Sequence, residues 1–438
     1  MYVADSRGVP APAVTPEPQA VAPGTRPGRR AALGPTVLAL GTVSLITDVS
    51  SEMVAAVLPL YLVAGLGLSP LGFGLLDGLY NGVSALVRLA GGHLGDRLGR
   101  HKLLAGIGYG LSAVCKPLLL LAHTLPAIGA VLALDRTGKG LRTAPRDALI
   151  SLAAAPEERG RAFGVHRAMD TAGALIGPIL AFLLLRGAAD GYDAVFTVSA
   201  CVAALGVLVL VLFVPGRAPG PPPGASGSGR VSARASLGLL RRRDLRRLAL
   251  CALLLGLCTV SDAFVFLLLQ RTAGIADRWF ALLPLATAAA FFLLALPLGR
   301  LADRIGRRRV FLGGHLALLA AYGLLLAAGG QHAAHTGLPH AVLPYAVLLL
   351  HGGFYAATDG VLMAAAAGAV PEEHRGAGLA LVQTGQALAR FTASIGFGAA
   401  WTVWGARPAL AVAAALLAAA TALCLRLGPA AADTAADA

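Results

Sequence analysis

Twelve apolar runs, each long enough to cross a bilayer as a helix, follow one another between residues 33 and 427. They fall at 33–63, 70–94, 102–122, 126–150, 162–185, 192–214, 247–270, 279–300, 309–329, 341–366, 376–400 and 404–427. A spanning helix needs about 20 mostly apolar residues. Of the whole chain, 57% is hydrophobic and only 13% is charged. That is more apolar surface than a soluble core of this size hides. The expectation is an all-α integral membrane protein with the lipid bilayer as solvent. Its five cysteines (Cys115, Cys201, Cys251, Cys258 and Cys424) all lie inside apolar runs. None has metal-site spacing, so they read as small packing residues.

The spacing of the runs divides the chain. Residues 1–32 lack the apolar core of a signal peptide and read as a disordered cytoplasmic tail. Residues 33–214 form one six-helix unit and 247–427 a second. Between them, 215–246 is a Pro/Gly/Ser-rich segment followed by a basic stretch, expected to be a cytoplasmic linker. Residues 428–438 form a second tail.

The net charge is +14, which in a soluble protein would suggest nucleic acid. Its location argues otherwise. Acids and bases balance inside the spans, and the excess lies in loops and tails. Arg26, Arg29 and Arg30, then Arg97, Arg100 and Lys102, then the arginine-rich linker, then Arg300, Arg304 and Arg307 to Arg309 all fall on one side of a twelve-span layout. Basic loops mark the cytoplasmic side. Both termini are therefore expected in the cytoplasm and the chain in the inner membrane. Trp279, Trp401 and Trp404 fall at the opposite ends, where indoles favour the interface. No nucleic-acid partner is expected.

The chain also repeats itself. Gly92, Asp96, Arg97, Gly99, Arg100 and Lys102 after the second span recur as Gly299, Asp303, Arg304, Gly306, Arg307 and Arg309 after the eighth. Both copies fit G-x3-D-R-x-G-R-x-[KR], with one offset throughout. A weaker echo joins Pro156 to Gly160 with Pro371 to Gly376. Two homologous halves follow.

The repeated loop resembles the hallmark loop of the major facilitator superfamily (MFS). The resemblance extends over about residues 33 to 427. It implies twelve transmembrane helices in two pseudo-symmetric six-helix bundles, working by alternating access. It also implies that Asp96 and Arg100, with Asp303 and Arg307 as second copy, lock the halves together in one conformation. Gly164, Gly173, Gly177 and Pro178 in span five resemble the superfamily's antiporter motif, although Ala181 and Phe182 stand where further glycines would be. Glycines there allow close helix packing. Arg136 and Gly140 in span four resemble the arginine motif that family members use in proton transfer. The charged run from Asp135 to Asp147 is similar to a bacterial and archaeal branch of drug-efflux-like members.

Charges inside a bilayer mark function unless they are paired or hydrated. Thirteen of the sixteen intramembrane charges lie in the first half, which suggests that this half carries proton coupling and gating. Asp48 and Glu52 share a face of span one, and two close carboxylates in low dielectric do not both ionise easily. They are the expected proton site, with Arg136 tuning them. Polar stripes run along span two (Asp77, Asn81), span four (Lys139, Arg142) and span eleven (Gln383, Gln386, Arg390). With Lys116, Asp262, Tyr355 and Asp359 they are the expected cavity lining. Asp77 is expected to pair with Lys116. Asp147 or Asp170 is expected to pair with Arg142, Arg146 or Arg167 in an inner ion-pair network. His332, His335 and His340 read as an ordinary polar loop.

The leading expectation is a monomeric, proton-coupled antiporter exporting a small amphipathic molecule. The alternative is a proton symporter importing an organic anion, with Lys116, Arg136, Lys139, Arg142 and Arg390 as ligands. A receptor or scaffold without transport is a distant third. No P-loop, Ser–His nucleophile or His/Asp metal cluster is recognised, so no enzyme, cofactor or metal is expected.

Overall fold

The computed structural model describes residues 34–98, 100–155, 158–188, 190–215, 238–328, 342–370 and 375–426. The tails, most of the linker, Gly99, residues 156–157, the histidine loop and 371–374 lie outside them.

The first six helices are α1 (Pro35–Leu60), α2 (Pro70–Leu98), α3 (His101–Leu121), α4 (Leu125–Ala153), α5 (Arg159–Gly187) and α6 (Gly191–Phe213). The seventh span is broken into α7a (Arg243–Leu257) and α7b (Asp262–Ala273). Then follow α8 (Leu282–Ile305), α9 (Arg307–Ala328), α10 (Leu343–Gly368), α11 (Arg375–Trp404) and α12 (Ala406–Arg426). Among the described residues, nine spans are long and apolar enough to cross a membrane. The other three, α2, α4 and α11, are as long, but each carries a polar stripe. Large apolar side chains such as Leu183, Leu208, Leu212, Leu293 and Val403 are exposed on the bundle's outer surface, as expected where lipid is the solvent.

The packing repeats between halves. In the first, α1 lies on α5, α2 on α4, and α3 on α4 and α6. In the second, α7a lies on α11, α8 on α10, and α9 on α10 and α12. Glycines set the closest crossings. Gly108 of α3 and Gly138 of α4 face each other, where an added Cβ would come within 2.6 and 2.7 Å of the other's carbonyl oxygen. One repeat further on, Gly314 of α9 lies against Ala357 and Thr358 of α10. Gly306 ends α8 with a φ of +96°, a turn open to glycine at little cost. The repeated loop's glycine is therefore a backbone requirement.

The halves meet along α2 and α11, and α5 touches α8. Among the described residues these meetings gather toward the end remote from the linker, called here the far end. The Leu71 amide donates to Thr402 Oγ1 at 2.9 Å, and Gly74 and Gly398 pack backbone to backbone. Deeper along the same seam, Gly78 and Gly82 lie against Phe391. Aromatic rings fill the rest of this end. Phe264 of α7b packs against Phe73, Phe397 and Trp401, and Phe182 of α5 against Trp279.

One ion cluster joins α3 to α4. Lys116 Nζ lies 3.0 Å from Asp135 Oδ1, and Arg136 Nη2 lies 2.6 Å from Oδ2. All three are buried. The Arg136 guanidinium also sits 3.9 Å from the centre of the Tyr80 ring on α2, a cation–π contact. The expected pair of Asp77 with Lys116 is thus corrected. The α3–α4 hairpin brings Lys116 opposite Asp135, while Asp77 turns toward the other half.

Two outcomes follow. Gly74→Leu, whose side chain meets the Ser394 carbonyl, should open the far end. Labelling of a Thr402→Cys reporter by an impermeant maleimide, in a cysteine-free background, should rise; unchanged labelling counts against the seam. Asp135→Asn strands two buried cations and should cost about 3–5 kcal/mol, read as a lower melting temperature in detergent. Lys116→Met added to it should recover part of the loss.

Candidate functional site

Helices α1 and α4 run antiparallel, so stepping down one means stepping back along the other. That register pairs their charges in order. Lys139 Nζ lies 3.9 Å from Glu52 Oε1, Arg142 Nη2 lies 3.5 Å from Asp48 Oδ1, and Arg146 Nη1 approaches Ser44 Oγ at 3.4 Å. The Arg142 guanidinium also covers the Tyr109 ring, at 4.5 Å from its centre.

Helix α5 adds its own charges to this ladder. Arg146 reaches Asp147 at 2.9 Å and Asp170 at 3.7 Å, and Arg167 reaches Asp170 at 3.3 Å. Asp48 and Asp170 are neighbours in this ladder, close enough to act on each other, with Arg142 on the first and Arg146 on the second. Arg142 and Arg146 flank this pair. Sequence reasoning set Asp48 beside Glu52 and missed Asp170 as its partner. Arg136, expected to tune Asp48 and Glu52, has its guanidinium on Asp135 and Tyr80, with Glu52 near enough to act on it through charge.

The glycines of α5 hold that helix against the acid-bearing face of α1. A Cβ on Gly173 would collide with the Leu45 carbonyl, and one on Gly177 would come within 2.9 Å of the Glu52 Cβ. Gly164 differs from the packing role expected of it, because nothing lies within 4 Å of where its Cβ would be.

A cavity of about 220 Å³ lies between the halves. Of the expected residues, Glu52, Asp77, Asn81, Asp262, Tyr355, Arg390 and Pro178 line it. Lys116 and Arg142 are instead buried on carboxylates in the first half. Lys139 lies on Glu52 at the cavity's edge. In the second half, Arg390 lies 4.0 Å from Asp359, and Gln383 reaches the Met363 sulfur at 3.6 Å. Gln386 is half-buried on the same helix.

Sequence reasoning missed much of the cavity wall, namely Phe73, Tyr80, Phe266, Phe280 and the break in span seven. Residues Thr259 to Ser261 interrupt that helix and line the cavity. The Tyr322 hydroxyl of α9 accepts the Val260 amide at 2.9 Å, satisfying a donor that the break leaves open. Asp262 is the first residue beyond the break, and the Tyr355 hydroxyl donates to its Oδ1 at 2.5 Å. Across the seam, the Ser394 hydroxyl donates to Asp77 Oδ2 at 2.6 Å.

The repeated loop is described in its second copy. Asp303 and Arg304 are exposed. Arg307 donates to the Ala364 carbonyl of α10 at 3.1 Å, and Arg308 to carbonyls at the end of α12. These arginines cap helix C-termini inside their own half, where the dipole favours a cation. In the first copy Arg100 is exposed. Gly99, and the side chains of Asp96 and Arg97 together with the surroundings of Gly92, lie outside the described residues.

Comparison with known proteins places this arrangement. The family model of the Major Facilitator Superfamily matches residues 40–292 and 269–437. An uncharacterized MFS-type transporter of Methanocaldococcus jannaschii, MJ1317, is 30% identical over 378 residues, covering 85% of this chain and 89% of that protein. The uncharacterized protein Rv2265 of Mycobacterium tuberculosis is 35% identical over 174 residues, 40% of each chain. Among solved structures, the nucleoside transporter NupG superposes with a TM-score of 0.72 at 12% identity, over 89% of this chain and 98% of its own. A bacterial homolog of the human lysosomal transporter Spinster, in an inward-facing and unoccupied conformation, superposes with a TM-score of 0.69 at 14% identity, over 89% and 96%. At such identities the superpositions speak for the fold alone. With the family model spanning both halves, the chain is a multi-pass membrane transporter of the Major Facilitator Superfamily.

Proposed function

We propose that this transporter is a proton-coupled antiporter of the inner membrane, exporting a small amphipathic molecule by alternating access as a monomer. The observation that carries the proton part is the placing of Asp48 and Asp170 side by side among the charges of α4, Arg142 on the first and Arg146 on the second. Two neighbouring carboxyl groups in a low dielectric favour holding one proton between them, since two bare carboxylates repel. Arg142 and Arg146 beside them supply the positive charge that accepts the pair once that proton leaves. Loss of the proton then changes the forces between α1, α4 and α5, which is what a gating step needs.

Export is supported by the glycine motif of α5. Its two central glycines press on α1 at Leu45 and Val49, one turn from each of the acids. The motif that resembles the antiporter signature thus sits on the helix pair that holds the proton site. The far end is closed by the α2–α11 seam.

Uptake of an organic anion is less well supported. Lys116, Arg136 and Arg142 are buried on Asp135 and Asp48. Arg390 is the basic residue that lines the cavity.

The test uses proteoliposomes with an imposed pH gradient, entrapped pyranine and a panel of amphipathic compounds. A transported compound should collapse the gradient while moving against the proton flux. Asp48→Asn and Asp170→Asn should each reduce this gradient-driven flux to the vesicle leak while keeping compound exchange without a gradient. Full gradient-driven flux in either variant would contradict the shared-proton site, and movement with the protons would contradict antiport.

A further inference from the structure

The cavity's charges go beyond the word amphipathic. Three carboxyl groups line it, those of Glu52, Asp77 and Asp262, against one base, Arg390. That base lies 4.0 Å from Asp359, and Glu52 is answered by Lys139. Asp77 and Asp262 form no direct ion pair with a Lys or Arg among the described residues, although Arg390 acts on Asp262 from across the cavity. Asp77 is held by the Ser394 hydroxyl.

Asp262 is the more open of the two. Its Oδ1 accepts the Tyr355 hydroxyl at 2.5 Å. Nε2 of the buried His351 approaches the same oxygen at 3.3 Å, without hydrogen-bond alignment. These contacts fix the carboxyl in place, yet its side chain keeps 46% of its exposure. A helix start such as that of α7b would by itself favour an anion. Asp262, as its first residue, supplies that anion from the chain. The charge left for a ligand to bring is positive. Most of the rest of the wall is apolar and aromatic, with Phe73, Phe266, Phe280 and Tyr80 beside the polar Asn81, Thr259 and Ser261. A volume of about 220 Å³ has room for an organic body as well as a charged head.

We propose that the cavity binds an organic cation, its ammonium- or pyridinium-type head at Asp262 beside the break in span seven and its apolar body against these rings. This deepens the exporter reading, on which it rests. The broken helix supplies the site because it lets Asp262 and the backbone of Thr259 to Ser261 reach the cavity at membrane depth. Aromatic faces add attraction for a cation that an anion of the same shape does not receive.

A pair of probes of similar shape and opposite charge tests this. The cation is N-methyl-para-phenylpyridinium and the anion para-phenylbenzoate, titrated calorimetrically into the purified full-length protein without any gradient. The cation should bind at least about tenfold more tightly than the anion. Asp262→Asn should weaken it about tenfold and Asp262→Glu should restore it, while Arg390→Gln should tighten it. A gain in affinity cannot come from misfolding, so the arginine variant guards against a collapsed protein. Equal or tighter binding of the anion, absence of binding by either probe, or unchanged affinity in Asp262→Asn would overturn the proposal. Binding needs no proton flux. Cation binding without gradient-driven transport would therefore remove the proton coupling and leave this site standing, and the converse result would do the opposite.

Discussion

A charge inside a bilayer has to be paired, and in this chain one helix sets the pairing. Helix α4 carries Arg136, Lys139, Arg142 and Arg146 along its length, and each is answered by an acid or an aromatic face on α1, α2, α3 or α5. The desolvation cost of each cation is severe without a partner. The first half can therefore pack in few ways, because α1 must present Asp48 and Glu52 to α4, and α5 must bring Asp170 to the same place. The glycines at Gly173 and Gly177 let α5 come close enough to do so. The second half has few such charges and packs through apolar contacts and rings. That difference puts the ion-pair network in the first half, while both halves line the cavity.

The same pairing gives the two seams different characters. Within the first half, ion pairs cross from helix to helix at fixed register. Between halves, the described contacts are small-residue crossings, rings and two hydroxyl bonds, from Thr402 to the Leu71 amide and from Ser394 to Asp77. A joint of that kind separates without stranding a charge pair, which suits an interface that has to open. Asp77 is the exception worth noting, since its partner Ser394 leaves with α11 when the far end opens.

Much of this was legible in the sequence. The spans, the six-plus-six division and the repeated loop follow from apolar runs and from the recurrence of Gly92 to Lys102 as Gly299 to Arg309. The pairing was partly legible. Asp147 and Asp170 were set with the inner arginines, which is where Arg146 and Arg167 meet them. The partner of Lys116 was missed because depth alone suggested Asp77. The α3–α4 register sets Ser112, one turn before Lys116, level with Asp135, and the long lysine side chain spans the remaining turn. That Asp170 neighbours Asp48 was out of reach, since no repeat or spacing fixes how α5 rotates against α1. The break in span seven had only a faint signal. Ser261 followed by Asp262 and an apolar run is a helix-start pattern, but neither residue forces a helix to end. The break is sustained by a distant partner, the Tyr322 hydroxyl.

The central claim is that Asp48 and Asp170 hold one proton between them beside Arg142 and Arg146. Infrared difference spectroscopy of the purified transporter, following the C=O stretch of protonated carboxyl groups during a pH jump, reads that proton directly. The account predicts a single carboxylic-acid band that Asp48→Asn and Asp170→Asn each remove, because the proton belongs to the pair. A band that survives both substitutions, or that responds to one of them alone, would contradict it.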